Sequence, residues 1–141
     1  MIDVENLVIT KIREQVKTIY PDVAITSKIT DVPSSFPCIS IQEEDNSIYA
    51  KSQDATGAEY HAKVMYSVNV YSNKEQGNKA EAKDLMNVVD NAFRNIGFNR
   101  TMKSPVPNRD VSIYRITARY EAIVAESQEI GDDTVYQVYG R

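Results

Sequence analysis

Apolar residues recur at spacings of three and four near the start of the chain: Val4, Leu7, Val8, Ile12, Val16 and Ile19. That is the period of an amphipathic helix. It predicts a helix over 3–20, with Asp3 as its N-cap. Pro21 ends it, because the residue before a proline is pushed out of the α region. A second stripe (Ala82, Leu85, Met86, Val89, Ala92, Phe93 and Ile96) predicts a helix over 78–96. Gly97 stands where a C′ glycine is expected. Asn78 with Glu81, three residues on, predicts a box-like helix start; Ser72 with Glu75 is an earlier pair of the same kind.

Between and after these helices the period changes to two. From Tyr60 to Tyr71, Ala62, Val64, Tyr66, Val68 and Val70 alternate with His61, Lys63, Met65, Ser67, Asn69 and Tyr71. From Val111 to Glu126, Tyr114, Ile116, Ala118, Tyr120, Ala122 and Val124 alternate with Ile113, Arg115, Thr117, Arg119, Glu121 and Ile123. Both read as long strands buried on one face. Shorter strands are predicted at Val23–Thr26, Cys38–Glu43 and Phe98–Met102. Residues 30–37 and 104–108 read as proline-punctuated connections. Residues 44–58 are polar without a period and read as a long loop or an extended hairpin tip; loops of this length tend to be functional or to order only with a partner. "TVYQVY" (Thr134–Tyr139) reads as a strand with nothing left in the chain to pair with.

The order α-β-β-loop-β-α-β-β predicts an α+β domain over 1–126: a mostly antiparallel sheet with two main helices packed on one face. A C-terminal tail follows over 127–141. The other sheet face is left for solvent or a neighbouring subunit. At 141 residues, one domain is expected.

Composition narrows the function. The net charge is −4, and the 16 Lys and Arg are scattered, which disfavours a protein that grips nucleic acid through its phosphates. The single cysteine excludes a disulfide within the chain. The N-terminus lacks a basic, apolar leader, and no run approaches the roughly 20 apolar residues of a membrane span, so a cytoplasmic protein is expected. The nine tyrosines are the one compositional excess. Tyr49, Tyr60, Tyr71, Tyr136 and Tyr139 suit an interface, where a tyrosine supplies area and a hydrogen bond.

Catalytic signatures are weak. Tyr66–Met86 has the strand–glycine–lysine–helix order of a phosphate loop, but it lacks the second glycine and the Ser/Thr for magnesium. The stretch therefore reads as a structural hand-over. Glu43–Asn46 does not match calcium-loop spacing and reads as solvated loop. His61 and Cys38 have no ligand partners at metal spacing. A Cys–His enzyme would need an orienting residue that cannot be identified.

Four stretches carry a family resemblance: Ser34–Asp54, His61–Lys83, Ile96–Asn108 and Ile113–Val124. Together they resemble the tail-terminator, or tail-completion, proteins of long-tailed bacteriophages and prophages, over about residues 2–125. The resemblance implies a homo-oligomeric ring, usually a hexamer, at the head-proximal end of the tail tube. The ring would stop tube polymerisation and join the tail to the head-side connector. Genome DNA would pass through its lumen without specific binding. It implies no enzyme activity, cofactor, metal or membrane, and a place in the virion after assembly in the host cytoplasm. Another neck component, a head-closure or adaptor protein, is the alternative. On this reading Met65, Tyr71, Ile113, Arg115, Arg119 and Ile123 are candidate subunit-interface residues. Asp45, Ile48, Tyr49 and Lys51 form a candidate docking loop. Val135, Tyr136, Val138 and Tyr139 are candidate tail contacts.

Overall fold

The computed structural model describes residues 2–28, 32–48, 61–130 and 133–139, with side chains as far as residue 125. Its elements are α1 (Glu5–Ile19), β1 (Ala24–Thr26), β2 (Cys38–Ile48), β3 (His61–Ser72), α2 (Asn78–Asn95), β4 (Asn99–Val106), β5 (Tyr114–Ile130) and β6 (Asp133–Tyr139). One sheet runs in the order β1-β2-β3-β5-β4, with β6 also paired to β5. Among the described strands, only β1 against β2 is parallel. The α+β expectation therefore holds, with both helices contributing to a single core against one sheet face.

That core follows from the two periods. Val8, Ile12 and Val16 of α1 form one row at i, i+4 and are buried. Leu7 (39% exposed) and Ile19 (62%) are not, so the buried stripe of α1 is narrower than its sequence pattern. From α2, Ala82, Leu85, Met86, Val89, Ala92 and Phe93 are buried. They meet the even-numbered positions of β3 and β5 and, from β2, Ile39 and Ile41.

Helix ends are set locally. Val4, not Asp3, is the N-cap of α1; the Asp3 carboxylate, one residue earlier, accepts the Glu5 N–H at 3.2 Å. Gly77, not Asn78, is the N-cap of α2, at φ +86°. A Cβ there would meet no atom within 4 Å. The left-handed backbone, not lack of space, is what favours glycine. At the other end Phe98 N–H donates to the Phe93 carbonyl (2.9 Å) and Gly97 N–H to that of Arg94 (3.0 Å). This is a Schellman closure, and its accompanying apolar contact is Phe93 edge-on to Phe98 at 5.5 Å.

Two strands run further than the sequence pattern implies, and a third finds a partner. All of the described part of the 44–58 loop or hairpin tip is strand: β2 continues to Ile48, through a bulge between Glu43 and Asp45. The bulge inserts an extra residue, so the alternation that would have marked a strand is broken. β4 extends through Pro105 to Val106; Pro105 is tolerated because β4 is an edge strand. The C-terminal strand is not without a partner. β6 pairs antiparallel with β5 from Ile123↔Tyr139 to Ile130↔Asp133. It takes up the side of β5 beyond the stretch that β4 covers, Arg115 to Glu121.

Candidate functional site: the open sheet face

Across β3 and β5, the side chains pointing away from the helices pair as Lys63↔Ile123, Met65↔Glu121, Ser67↔Arg119, Asn69↔Thr117 and Tyr71↔Arg115. One end of this face is closed. Tyr71 (0% exposed) and Ile113 (5%) pack with Cys38 in a second cluster, bordered by Ala24 and Phe36. These two residues are therefore not available as subunit-interface residues. Chain segments from β1 and from just before β2 already cover them. Arg115 belongs to the same closed end: its guanidinium lies 5.5 Å from the Tyr71 ring centroid, and its Nε donates to Asn69 Oδ1 at 3.0 Å.

Among the described residues the other end is open. Met65 and Ile123 are half-buried there, amid charge. Arg119 Nε is 3.1 Å from Glu44 Oε2, and Lys63 Nζ is 3.7 Å from Glu121 Oε1. Glu44 is the extra residue of the β2 bulge, and the bulge brings it to Arg119 across β3. Such half-exposed pairs are weak in a free subunit. They gain strength when a second surface removes water from them.

The docking-loop residues divide. Asp45 and Ile48 lie in β2, opposite Met65 and Ala62; both are exposed, but they are held in a sheet rather than a loop, because β3 is long enough to pair with them. Tyr49 and Lys51 lie outside the described residues. Val135, Tyr136, Val138 and Tyr139 are all in β6, where register sets them against Gln128, Glu126, Val124 and Ile123.

Two chemical alternatives lose their geometry. Cys38 pairs with Tyr71 at one end of β3, while His61 is the first residue of that strand. Ten residues of strand separate those positions, roughly 33 Å, so the two side chains cannot act as a dyad. Burial also pushes the Cys38 thiol up, away from the thiolate a nucleophile needs. In the first turn of α2 a carboxylate, which would repel a phosphate, is held in place: Ser72 Oγ donates to Glu81 Oε1 at 2.7 Å.

A buried polar network that the sequence pattern does not reveal sits on the helix-covered side. Asp90 of α2 accepts the Tyr120 hydroxyl at 2.8 Å and Arg100 Nη1 at 2.9 Å. Burial, followed by this bond to Asp90, raises the Tyr120 phenol far above its ordinary range. Tyr120 also stacks on Phe93, with centroids 4.3 Å apart. Asp90, Arg94, Asn99 and Arg100 line a cleft of about 380 Å³, but the Asp90 bonds to both neighbours make it a strut between α2, β4 and β5. Among the described residues, no helix is long and apolar enough to cross a membrane. Neither a family model nor a curated protein matches this chain.

Proposed function

We propose that the protein is a structural ring subunit of the tail-terminator type. The ring, six copies on this reading, caps the head-proximal end of a phage tail tube and joins it to the head-side connector. The resemblance of Ser34–Asp54, His61–Lys83, Ile96–Asn108 and Ile113–Val124 to that family is the observation that carries the reading.

The architecture is compatible with it. A closed ring needs two different patches per subunit, one meeting the other on its neighbour. The sheet has two different outer rows. On one side, β1 covers β2 only along Cys38–Ser40, and Ile41–Ile48 has no second strand among the described residues. On the other side, β4 and β6 pair only with β5 among the described residues. A neighbouring chain adding its edge to such a row is a common mode of association. Met65, Arg119 and Ile123 on the open face extend the contact. The net charge of −4 suits a lumen through which DNA slides without sticking. No catalytic role is assigned.

Electron micrographs of phage assembled without the protein test this. Tails of abnormal length, detached from heads, are expected. Normal tails on heads that leak DNA would overturn tail termination in favour of head closure.

A further inference from the structure

Three carboxylates converge where α1 begins. Asp3 and Glu5 come from the start of the helix and Glu43 from β2, just before its bulge. One oxygen of each lies within 4.8 Å of the others. Glu43 stands directly opposite Tyr66 of β3 in strand register, so both side chains lie on the helix-covered face. Tyr66 is 0% exposed, and its hydroxyl has no hydrogen-bond partner. Strand register puts that hydroxyl on the same face as the Glu43 carboxylate, and the charges that act on it are those of Glu43, Glu5 and Asp3. Beside it, the Asn46 amide donates to the Ile2 carbonyl at 2.7 Å and to Glu43 Oε1 at 3.3 Å.

A helix N-terminus tolerates nearby negative charge, which accounts for Asp3 and Glu5. It gives no reason for a third carboxylate from a strand, nor for a buried phenol aimed at it without a partner. Leaving a buried hydroxyl unpaired is costly. A shared cation accounts for the convergence of the three carboxylates, and a carboxylate held by it offers the phenol an acceptor. Oxygens bound to one calcium ion at roughly 2.4 Å lie at most about 4.8 Å apart, and these carboxylates already have that spacing. An all-oxygen, anionic set selects hard divalent ions over those that prefer nitrogen or sulfur. Asp3 is exposed and Glu5 and Glu43 are half-buried, so water can fill the remaining positions. Calcium tolerates such irregular coordination better than magnesium does.

We propose that Asp3, Glu5 and Glu43 bind a hard divalent cation of the calcium class, with the Tyr66 hydroxyl donating to a ligating carboxylate from the buried side. The ion would clamp the start of α1 to β2, beside the Asn46–Ile2 bond. Without it the three carboxylates, whose oxygens lie within 4.8 Å of one another, oppose one another. The site is complete within one chain and does not depend on ring formation.

The full chain, stripped with chelator, is titrated with terbium, calcium and magnesium. Excitation of tyrosine should give saturable terbium emission that calcium displaces. Excess calcium should raise Tm by several degrees, because the ion binds only the folded chain, and magnesium should raise it less. Glu43→Gln should lose both responses. Tyr66→Phe should keep the thermal response while terbium emission falls several-fold. Should Glu43→Gln fail to fold, Asp3→Asn, on the exposed rim, reads the same loss. Absence of saturable emission in the unaltered chain, or a calcium shift that survives in both carboxylate variants, overturns the proposal.

Discussion

On the helix-covered face, β3 presents Ala62, Val64, Tyr66, Val68 and Val70, and β5 presents Ile116, Ala118, Tyr120, Ala122 and Val124, none more than 2% exposed. On the opposite face the same two strands present Lys63, Met65, Arg119 and Ile123, half-buried or exposed and interleaved with ion pairs. The backbone is shared, so strand formation cannot account for the difference. What covers each face does. Two helices close one face with apolar surface, and burial of that surface is the main favourable term in folding. Among the described residues the other face is closed only around Cys38, Tyr71 and Ile113, and on the proposed reading its open end meets a second subunit. Stability should therefore depend chiefly on one face and assembly on the other.

The largest effect should come from the covered face. Phe93 is 0% exposed, stacked on Tyr120 and edge-on to Phe98. Phe93→Ala removes that filling and leaves a cavity, so it should cost about 3–5 kcal/mol. That is a large share of the roughly 5–15 kcal/mol that holds a domain together. Urea denaturation measures it, and a loss below about 1 kcal/mol would mean that the face is not the source of stability.

The open face should respond in the opposite sense. Arg119 is 49% exposed and paired to Glu44. Arg119→Ala should cost the free subunit no more than about 1 kcal/mol. On the proposed reading it should nonetheless shift the ring toward monomer, which native mass spectrometry reads. A ring that forms unchanged would move the interface away from this face. A stability loss as large as that of Phe93→Ala would erase the distinction between the two faces.

This asymmetry also separates what was legible in the sequence from what was not. The buried rows of α2, β3 and β5 were readable because period and burial coincide over many residues. The continuation of β2 was not, since the bulge at Glu43/Asp45 breaks the alternation. The pairing of β6 carried a readable signal: Gly131-Asp132, between β5 and β6, is a dipeptide of the two-residue hairpin type. Tyr71 and Ile113 were placed on the correct face but expected to await a neighbour. Period two assigns a face and says nothing of what covers it, and here the cover comes from Phe36 and Ala24. The carboxylate cluster was hidden for a similar reason. Only strand register brings Glu43 opposite Tyr66, and only the packing of α1 adds Asp3 and Glu5.

That cluster puts charge on the side the helices cover, and it gives the smallest effect and the one with an unusual sign. Glu43 is raised from the ordinary 4.5, first by burial and then by Glu5 and Asp3, with Asp45 adding a little and the Asn46 hydrogen bond opposing. A carboxyl raised in the folded state holds its proton after the unfolded chain has released it. Stability therefore falls as pH climbs from about 4.5 through the higher folded value, and ionised Glu43 is a net cost at neutrality. In chelator at pH 7, Glu43→Gln should have a slightly higher Tm than the unaltered chain. The gap should close as pH drops below about 4.5, where Glu43 is protonated in both states. The neutral Tyr66 phenol opposite should not titrate in this window, since burial pushes it upward. Melting curves of both proteins across pH decide the matter. A variant less stable at pH 7, or a gap indifferent to pH, would mean that the cluster is relaxed without an ion. With calcium added at pH 7 the order should reverse, because the ion turns the same three charges from mutual repulsion into a shared ligand set.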